Sequence, residues 1–288
     1  MTETFSLQTP DATLVYDVRG ELPAADGRPP LVLVGHPMDA SGFGTLASYF
    51  PDRTVVTYDP RGLGRSTRTD GRRERTPQDN AEDVHRVIEA LGAGPVELFG
   101  SSGGAVNGLA LVAAHPGDVT TLVAHEPPLL ATLPDAEQAF AAERAVHAAY
   151  RDKGWGHGMA AFLALTLWAG EFPADYAARP APDPAAFGLP TEDDGGREDP
   201  LLSGVSDPIT AYRPDVEALA AAPTRVVVAV GVESGETLTG RTSVATARLL
   251  GQEATVFPSH HGGFLGPGFG RPGEPEAFAA RLREILEG

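Results

Sequence analysis

The sequence of 288 residues contains no cysteine, which excludes disulfide bonds, thiolate metal sites and a cysteine nucleophile. It is also poor in positive charge. The chain has 22 lysine and arginine residues against 39 aspartate and glutamate residues, and its formal net charge is −17. Surfaces that bind nucleic acid or an anionic membrane are rich in lysine and arginine, so this balance argues against both partners.

Long apolar runs are lacking as well. No run reaches the roughly 18 residues that a membrane span needs. The N-terminal segment MTETFSLQTPDATLVYDVRG lacks the basic stretch followed by an apolar stretch that is typical of a signal peptide. We therefore expect a cytoplasmic protein. Its 42% of hydrophobic and 21% of charged residues are ordinary for a globular chain that forms one large α/β domain or a domain with an insertion.

Short apolar segments alternate with helical patterns in both terminal parts of the chain. Continuous apolar strands are predicted at 31–34, 54–58, 96–99, 119–124 and 225–230. This alternation predicts an α/β fold with a mostly parallel, doubly wound sheet.

The alternation stops between residues 127 and 222. We therefore predict a core domain made of residues 1–126 and 223–288, with residues 127–222 as an inserted helical cap. Within the insertion, helices are predicted at 136–150 and 159–169, separated by the glycine-rich stretch 154–158.

The stretch VELFGSSGGAVNG, residues 96–108, predicts a strand, a sharp turn and a helix. The frame Gly100-x-Ser102-x-Gly104 matches the nucleophile elbow G-x-S-x-G, in which a strained turn lifts the serine hydroxyl above the sheet. A frame centred on Ser101 would need a glycine at Phe99. Ser102 is therefore the candidate nucleophile.

Sites of parallel α/β sheets gather at the carboxyl ends of the strands. The positions that follow the predicted strands and carry functional groups are His36, Asp59, Ser102, Glu126, Glu233 and His261. A serine hydroxyl is a weak nucleophile at neutral pH. It needs a base within hydrogen-bond reach, normally a histidine that a carboxylate orients.

Three motifs together resemble the α/β-hydrolase superfamily, including its actinobacterial members. They are the elbow, the segment DPRGLGRS at 59–66, which is similar to the D-x-R-G-x-G-x-S signature, and the loop after Val34, which is similar to H-G-x-P with Val34 in place of the histidine. The insertion at 127–222 occupies the place of the family's cap domain. Asp59 and Arg61 are expected to order their loop.

The resemblance implies a base after the last strand, at His260 or His261, and the pattern His-x-Gly-Phe favours His261. The oxyanion hole would use the backbone N–H groups of His36 and Gly103.

The resemblance leaves the acid open. The usual acid position after the strand at 225–230 is occupied by Ser234, with Glu233 and Glu236 beside it. Some members place the acid after the strand that follows the elbow helix, where Glu126 stands. Glu126 is our first choice and Glu233 the alternative, while Glu236 or a dyad without an acid would complete the options.

These expectations describe a serine hydrolase that cleaves an ester, lactone or thioester of a small, apolar substrate without a cofactor or metal. A binding protein without turnover, or a C–C bond hydrolase or perhydrolase that uses the same serine, would share these residues. A metal site of His260, His261 and Glu126 is a further alternative. Four cap aromatics either line the pocket or pack helices together: Trp155, Phe162, Trp168 and Phe172.

Overall fold

The computed structural model describes residues 2–24, 26–268 and 270–288. Met1, Ala25 and Phe269, which the predicted core domain includes, lie outside the described residues. The strands are β1 (Thr2–Gln8), β2 (Ala12–Arg19), β3 (Leu31–Val34), β4 (Val55–Tyr58), β5 (Thr67–Arg68), β6 (Val96–Ser101), β7 (Val119–His125), β8 (Arg225–Gly231) and β9 (Thr255–Phe257).

Helices follow most of the strands. They are α1 (Gly44–Ser48), α2 (Pro77–Leu91), α3 (Gly103–Ala114), α4 (Ala136–Lys153), α5 (Trp155–Leu167), α6 (Asp207–Thr210), α7 (Val216–Ala221), α8 (Leu238–Leu249) and α9 (Pro275–Glu287). Short 3₁₀ turns lie at Ala40–Phe43, Leu130–Thr132, Tyr176–Ala178 and Pro184–Phe187. Among the residues described, no helix has the length and apolarity that crossing a membrane requires.

The strands form one sheet in the order β1-β2-β4-β3-β6-β7-β8-β9, and β5 pairs with β2. The pairs from β4 through β9 are parallel. The β1–β2 and β2–β4 pairs are antiparallel. The predicted α/β fold with a mostly parallel sheet is therefore confirmed.

Strand β3 shows why the central strands have continuous apolar sequences. Its four residues are all fully buried. Val32 and Val34 pack into a core cluster with α2 and α3, whereas Leu31 and Leu33 pack into a second cluster with α1 and α9. Successive side chains of a strand point to opposite faces, so a strand covered by helices on both faces must be apolar at every position.

The segment between β7 and β8 contributes α4, α5, α6 and α7. Helices α4 and α5 pack on each other around a third cluster, which also includes Leu202 and Leu238 of α8. Ile209 of α6 and Leu219 of α7 belong instead to the cluster that includes α3. The extent of the cap as a domain stays a prediction, since these two short helices pack with the core.

The prediction that residues 154–158 separate two helices is wrong except at Gly154. Gly154 ends α4 with φ +88°, and α5 begins at Trp155. A Cβ atom on Gly156 would lie 1.8 Å from the carbonyl oxygen of Pro190, and one on Gly158 would lie 2.6 Å from the Cβ atom of Tyr150. Close packing, rather than a chain break, therefore requires these two glycines.

The loop after β4 is fixed by charged side chains. The guanidinium of Arg61 donates from Nε and Nη2 to the two carboxylate oxygens of Asp83 at 2.6 and 2.5 Å, and both side chains are buried. The carboxylate of Asp59 accepts from the backbone N–H groups of Ala40 and Arg65, each at 2.9 Å. These contacts hold the loops that follow β3 and β4.

Candidate active site

Ser102 lies in the turn between β6 and α3. Its backbone angles are φ 57° and ψ −127°, a region that costs a non-glycine residue about 1–3 kcal/mol. Its N–H donates to the carbonyl oxygen of His125 at 2.9 Å, and its own carbonyl accepts from Ala105 and Val106 at 2.9 and 3.4 Å. The fold therefore holds this serine in a strained conformation at the carboxyl end of a central strand.

Steric contacts explain why both outer positions of the G-x-S-x-G frame are glycine. A Cβ atom on Gly100 would lie 2.5 Å from the carbonyl oxygen of Gly104. A Cβ atom on Gly104 would lie 2.1 Å from the carbonyl oxygen of Val34, on the neighbouring strand β3. The sharp turn brings strand and helix backbones so close that only glycine fits at either position.

His261, in the loop after β9, contacts the carboxylate of Glu126. The distance from His261 Nδ1 to Glu126 Oε2 is 2.8 Å. Glu126 directly follows β7 and has φ 50°. His261 is partly exposed, with 41% of its side chain accessible, while Glu126 is fully buried. A buried carboxylate bound to Nδ1 fixes the ring orientation and the tautomer, and it leaves Nε2 free for proton transfer.

Four donors surround the Glu126 carboxylate. Oε1 accepts from the backbone N–H of Gly231 at 2.8 Å and from the hydroxyl of Ser234. Oε2 accepts from the hydroxyl of Thr239 at 2.6 Å and from His261. Burial by itself raises the pKa of Glu126, but the hydrogen bonds and the adjacent histidines outweigh it, so the pKa is lowered far below its ordinary value. The side chain is an anion throughout the neutral range.

Two backbone N–H groups near Ser102 have no hydrogen-bond acceptor among the described residues. A Cβ atom on Gly103 would lie 2.8 Å from the carbonyl oxygen of His36, so the loop after β3 touches the start of α3. The N–H groups of His36 and Gly103 donate to no other described residue. N–H groups without partners beside a nucleophile can bind an oxyanion.

A cavity of about 390 Å³ connects these groups. His36, Ser102, Gly103 and His261 all line it. In the described residues, no hydrogen bond joins the Ser102 hydroxyl to the His261 ring. Such hydrogen bonds are often long in active sites without substrate and shorten when substrate binds. Most of the remaining wall is apolar and comes from the segment between β7 and β8. Of the four cap aromatics named from the sequence, Phe162 is the one that lines the cavity in the described residues.

The comparisons with known proteins agree with the fold. The sequence model of the alpha/beta hydrolase fold matches residues 31–167, which include β3, the elbow and Glu126. The chain has the α/β-hydrolase fold.

Individual relatives cover different shares of the chain. The uncharacterized hydrolase YraK from Bacillus subtilis is 37% identical over 129 residues, which are 44% of this chain and 46% of that protein. The chain thus spans less than half the length of this curated relative. A thermophilic esterase from Thermogutta terrifontis superimposes over 99% of this chain and 98% of its own, with a TM-score of 0.65 and 21% identity. The enol-lactonase from Burkholderia xenovorans superimposes over 96% and 97%, with a TM-score of 0.60 and 19% identity.

Ser234 occupies the position where the α/β-hydrolase pattern usually has its acid. Its hydroxyl donates to Glu126, so the residue at this position contacts the same carboxylate that His261 contacts. Glu233, the alternative acid, forms an ion pair with Arg271, and in the described part of the chain it is bonded to no histidine. Glu236 is exposed. Of the three candidate carboxylates, the structure brings Glu126 to His261.

His260, the other candidate base, uses both ring nitrogens on its own loop. Nε2 donates to the carbonyl oxygen of Pro272 and Nδ1 accepts from the N–H of Gly262, both at 3.1 Å. The structure therefore does not bring His260 to Glu126 as a metal ligand. Within the described ranges, the one group of potential metal ligands is His85, His115 and Asp118, and none of these lines the cavity.

Sequence reasoning missed three polar neighbours of the site. Thr239 binds Glu126, and its place in the first turn of α8 gives no sequence signal of its own. His125 is fully buried, lies 3.1 Å from the Ser101 hydroxyl through Nδ1, and has its ring stacked 6.1 Å from that of His261. Burial lowers the pKa of His125 to about 4, so it is neutral. Glu143 of α4 also lines the cavity, and helical spacing to His147 was the available signal.

Proposed function

We propose that the protein is a serine hydrolase that cleaves an ester, lactone or thioester of a small molecule through an acyl-enzyme. The observation that carries the proposal is the 2.8 Å contact between His261 Nδ1 and the buried Glu126 carboxylate, in a cavity that also contains the strained Ser102. The esterase and the lactonase among the structural neighbours support the same reaction class.

Acylation begins when the Ser102 hydroxyl attacks the substrate carbonyl carbon while His261 Nε2 takes the hydroxyl proton. Glu126 accepts the hydrogen bond from Nδ1–H and stabilises the imidazolium that forms. The carbonyl oxygen becomes an oxyanion, which accepts hydrogen bonds from the N–H groups of His36 and Gly103. When the bond to the leaving group breaks, His261 gives its proton to the departing alcohol or thiol.

Deacylation repeats the chemistry with water. His261 takes a proton from a water molecule, and the resulting hydroxide attacks the Ser102 ester carbon. The carboxylic acid leaves when His261 returns the proton to the Ser102 oxygen. No step needs a metal or cofactor, and the mostly apolar wall fits a substrate with an apolar acyl or alcohol part.

The test combines labelling with turnover. We expect a fluorophosphonate to add one adduct at Ser102, and p-nitrophenyl butanoate to be hydrolysed with a burst of p-nitrophenol. Ser102→Ala should abolish labelling and lower kcat at least about 10⁴-fold. Ser101→Ala is the matched control, since this serine directly precedes Ser102 at the end of β6 but bonds to His125. Labelling that survives Ser102→Ala, or a parent protein that resists the probe and leaves the ester intact, would refute the proposal.

A further inference from the structure

Two histidines stack face to face at the end of α3 that lies away from Ser102. His85 belongs to α2, and His115 directly follows α3. Their ring centroids are 3.7 Å apart, and the ring planes are inclined by 7°. Helix α3 has 12 residues and is therefore about 18 Å long. The pair is thus separated from the nucleophile by the length of a helix, and neither ring lines the cavity.

Each of the two rings contacts a carboxylate. His85 Nδ1 lies 2.7 Å from Asp118 Oδ2, and His115 Nε2 lies 2.6 Å from Glu82 Oε1. One nitrogen from each histidine and one carboxylate oxygen of Asp118 all lie within 4.8 Å of one another. Two imidazoles and a carboxylate therefore meet in one place, and each of these groups is a common metal ligand.

A tight turn fixes two of these three groups relative to each other. The turn is His115-Pro116-Gly117-Asp118, in which the N–H of Asp118 donates to the carbonyl oxygen of His115 at 3.1 Å. The N–H of His115 donates to the carbonyl oxygen of Leu111 at 2.7 Å, which ties the turn to α3. Proline at the second position of a turn restricts its φ angle. Groups that the backbone already holds together lose little conformational freedom when they bind an ion.

The charge around the two rings is negative. Besides the two carboxylates already named, Glu89 Oε2 lies 3.5 Å from His85 Nε2. Arg86 of the same helix adds one positive charge near Glu82, and its Nη1 atom lies 4.0 Å from Asp83. Three carboxylates thus surround the histidines against one guanidinium. Helix α3 also ends here, and the carboxyl end of a helix carries a partial negative charge that favours cations.

We propose that His85, His115 and Asp118 bind one divalent transition-metal ion, with zinc as the expected ion. Imidazole nitrogens suit zinc and its neighbours, whereas calcium and magnesium prefer oxygen ligands alone. Glu82, beside His115, supplies the fourth ligand. A zinc site that is closed by four protein ligands is structural. The ion joins α2, the end of α3 and the start of β7, and the inference does not depend on the proposed function.

The geometry requires a limited movement of these side chains. Ligand atoms of a tetrahedral zinc site lie about 3.3–3.6 Å apart, because each is about 2.0–2.2 Å from the ion. Separations of up to 4.8 Å must therefore shrink by at most about 1.5 Å. The lone pairs of an imidazole lie in the ring plane, so the two stacked rings must tilt to aim at one ion. All three side chains are partly exposed, which gives the ion access from solvent.

The first experiment titrates the full-length protein, without an affinity tag and after treatment with a chelator, with zinc chloride in a calorimeter. We expect one ion to bind per chain at micromolar zinc. His85→Ala and His115→Ala should each weaken binding by more than about 100-fold, because residues that only orient a ligand already contribute about 10–100-fold to metal affinity. Asp118→Asn, which keeps the shape of the side chain, should weaken binding by at least about tenfold. His157→Ala, which changes a histidine of α5 outside this group, is the matched control and should bind zinc like the parent.

Two results of this titration would overturn the inference. One is the absence of saturable binding at micromolar zinc. The other is binding that both His85→Ala and His115→Ala retain but that His261→Ala removes, because the ion would then lie in the cavity beside Glu126. The parent should also unfold at a higher urea concentration with zinc than without it, since an ion that binds the folded state stabilises it. An unchanged urea midpoint at saturating zinc would contradict a structural ion.

A spectroscopic measurement on the parent keeps the inference testable even where a variant does not fold. In a protein with ¹⁵N-labelled histidine, NMR reports the ring nitrogens of each histidine separately. One equivalent of zinc should shift the ring signals of His85 and His115 and leave those of His157 and His261 in place. Shifts confined to other histidines, or no shift at all, would overturn the inference.

Discussion

Replacing Glu126 by glutamine tests the acid of the proposed triad most directly. All four contacts of this carboxylate are donors, two on each oxygen. The amide of glutamine keeps one acceptor oxygen and turns the other position into a donor. Whichever way the amide is oriented, its NH₂ then faces groups that had been donors, so at least one of them must become an acceptor or lose its hydrogen bond.

The magnitude follows from the orientation that keeps the Gly231 contact. The amide NH₂ then faces His261 Nδ1 and favours the tautomer that carries its proton on Nε2, which cannot accept the Ser102 proton. The equivalent replacement in a serine protease triad lowers kcat about 10⁴-fold. We expect about 10³–10⁴-fold here, or about 4–5.5 kcal/mol of transition-state stabilisation.

The assay is steady-state hydrolysis of p-nitrophenyl butanoate, with urea unfolding to show that the variant is folded. Glu233→Gln serves as the matched control, because this carboxylate also lines the cavity but pairs with Arg271. It should change kcat less than about tenfold. A folded Glu126→Gln within about threefold of the parent, together with a Glu233→Gln that loses activity, would refute the assignment of the acid.

Three further predictions concern stability, each measured by urea unfolding. Gly104→Ala should lower the free energy of unfolding by about 1–3 kcal/mol, because its Cβ atom would overlap a carbonyl oxygen. Gly117 has open space around it, so Gly117→Ala should change the free energy of unfolding by less than about 1 kcal/mol. Equal losses in the two variants would contradict this explanation. The pKa of Glu143 is raised from 4.5 to about 8 in the folded state, so the folded state keeps a proton that the unfolded state loses, and the free energy of unfolding should fall as pH rises between these values. Glu143→Gln should flatten this decline. Parallel curves of unfolding free energy against pH for the parent and the variant would show that Glu143 does not cause it. Asp83→Asn leaves the buried guanidinium of Arg61 without its counter-charge and should lower the free energy of unfolding by about 3–5 kcal/mol. Arg73→Ala removes an exposed ion pair with Glu198 and should lower it by less than about 0.5 kcal/mol. Similar losses in the two variants would rule out a special role for burial of the pair.

The parts of the fold that sequence predicted best depend on local patterns. Apolar runs such as Leu31–Val34 are required wherever helices cover both faces of the sheet, so the central strands could be read directly. The G-x-S-x-G frame around Ser102 is also a local pattern, because its glycines are required by close contacts within one turn and with the adjacent strand.

The other features depend on contacts between distant segments. Gly156 and Gly158 disfavour a helix by composition, yet close packing against Pro190 and Tyr150 requires them in one. Glu143 and Asp207, which both line the cavity, are 64 residues apart, and no periodicity relates them before the cap folds. The choice between Glu126 and Glu233 likewise turned on which carboxylate faces His261, and that is decided by the loops after three different strands.

The contact between Ser234 and Glu126 has an evolutionary consequence. Strands β7 and β8 are neighbours, with His125 beside Ala229, so the loops that follow them reach the same carboxylate position from two sides. A lineage could acquire an aspartate at Ser234 while Glu126 is still present, and lose Glu126 afterwards. At no stage would the histidine lack an acidic neighbour. Either of these two strands can therefore present a carboxylate to the same histidine.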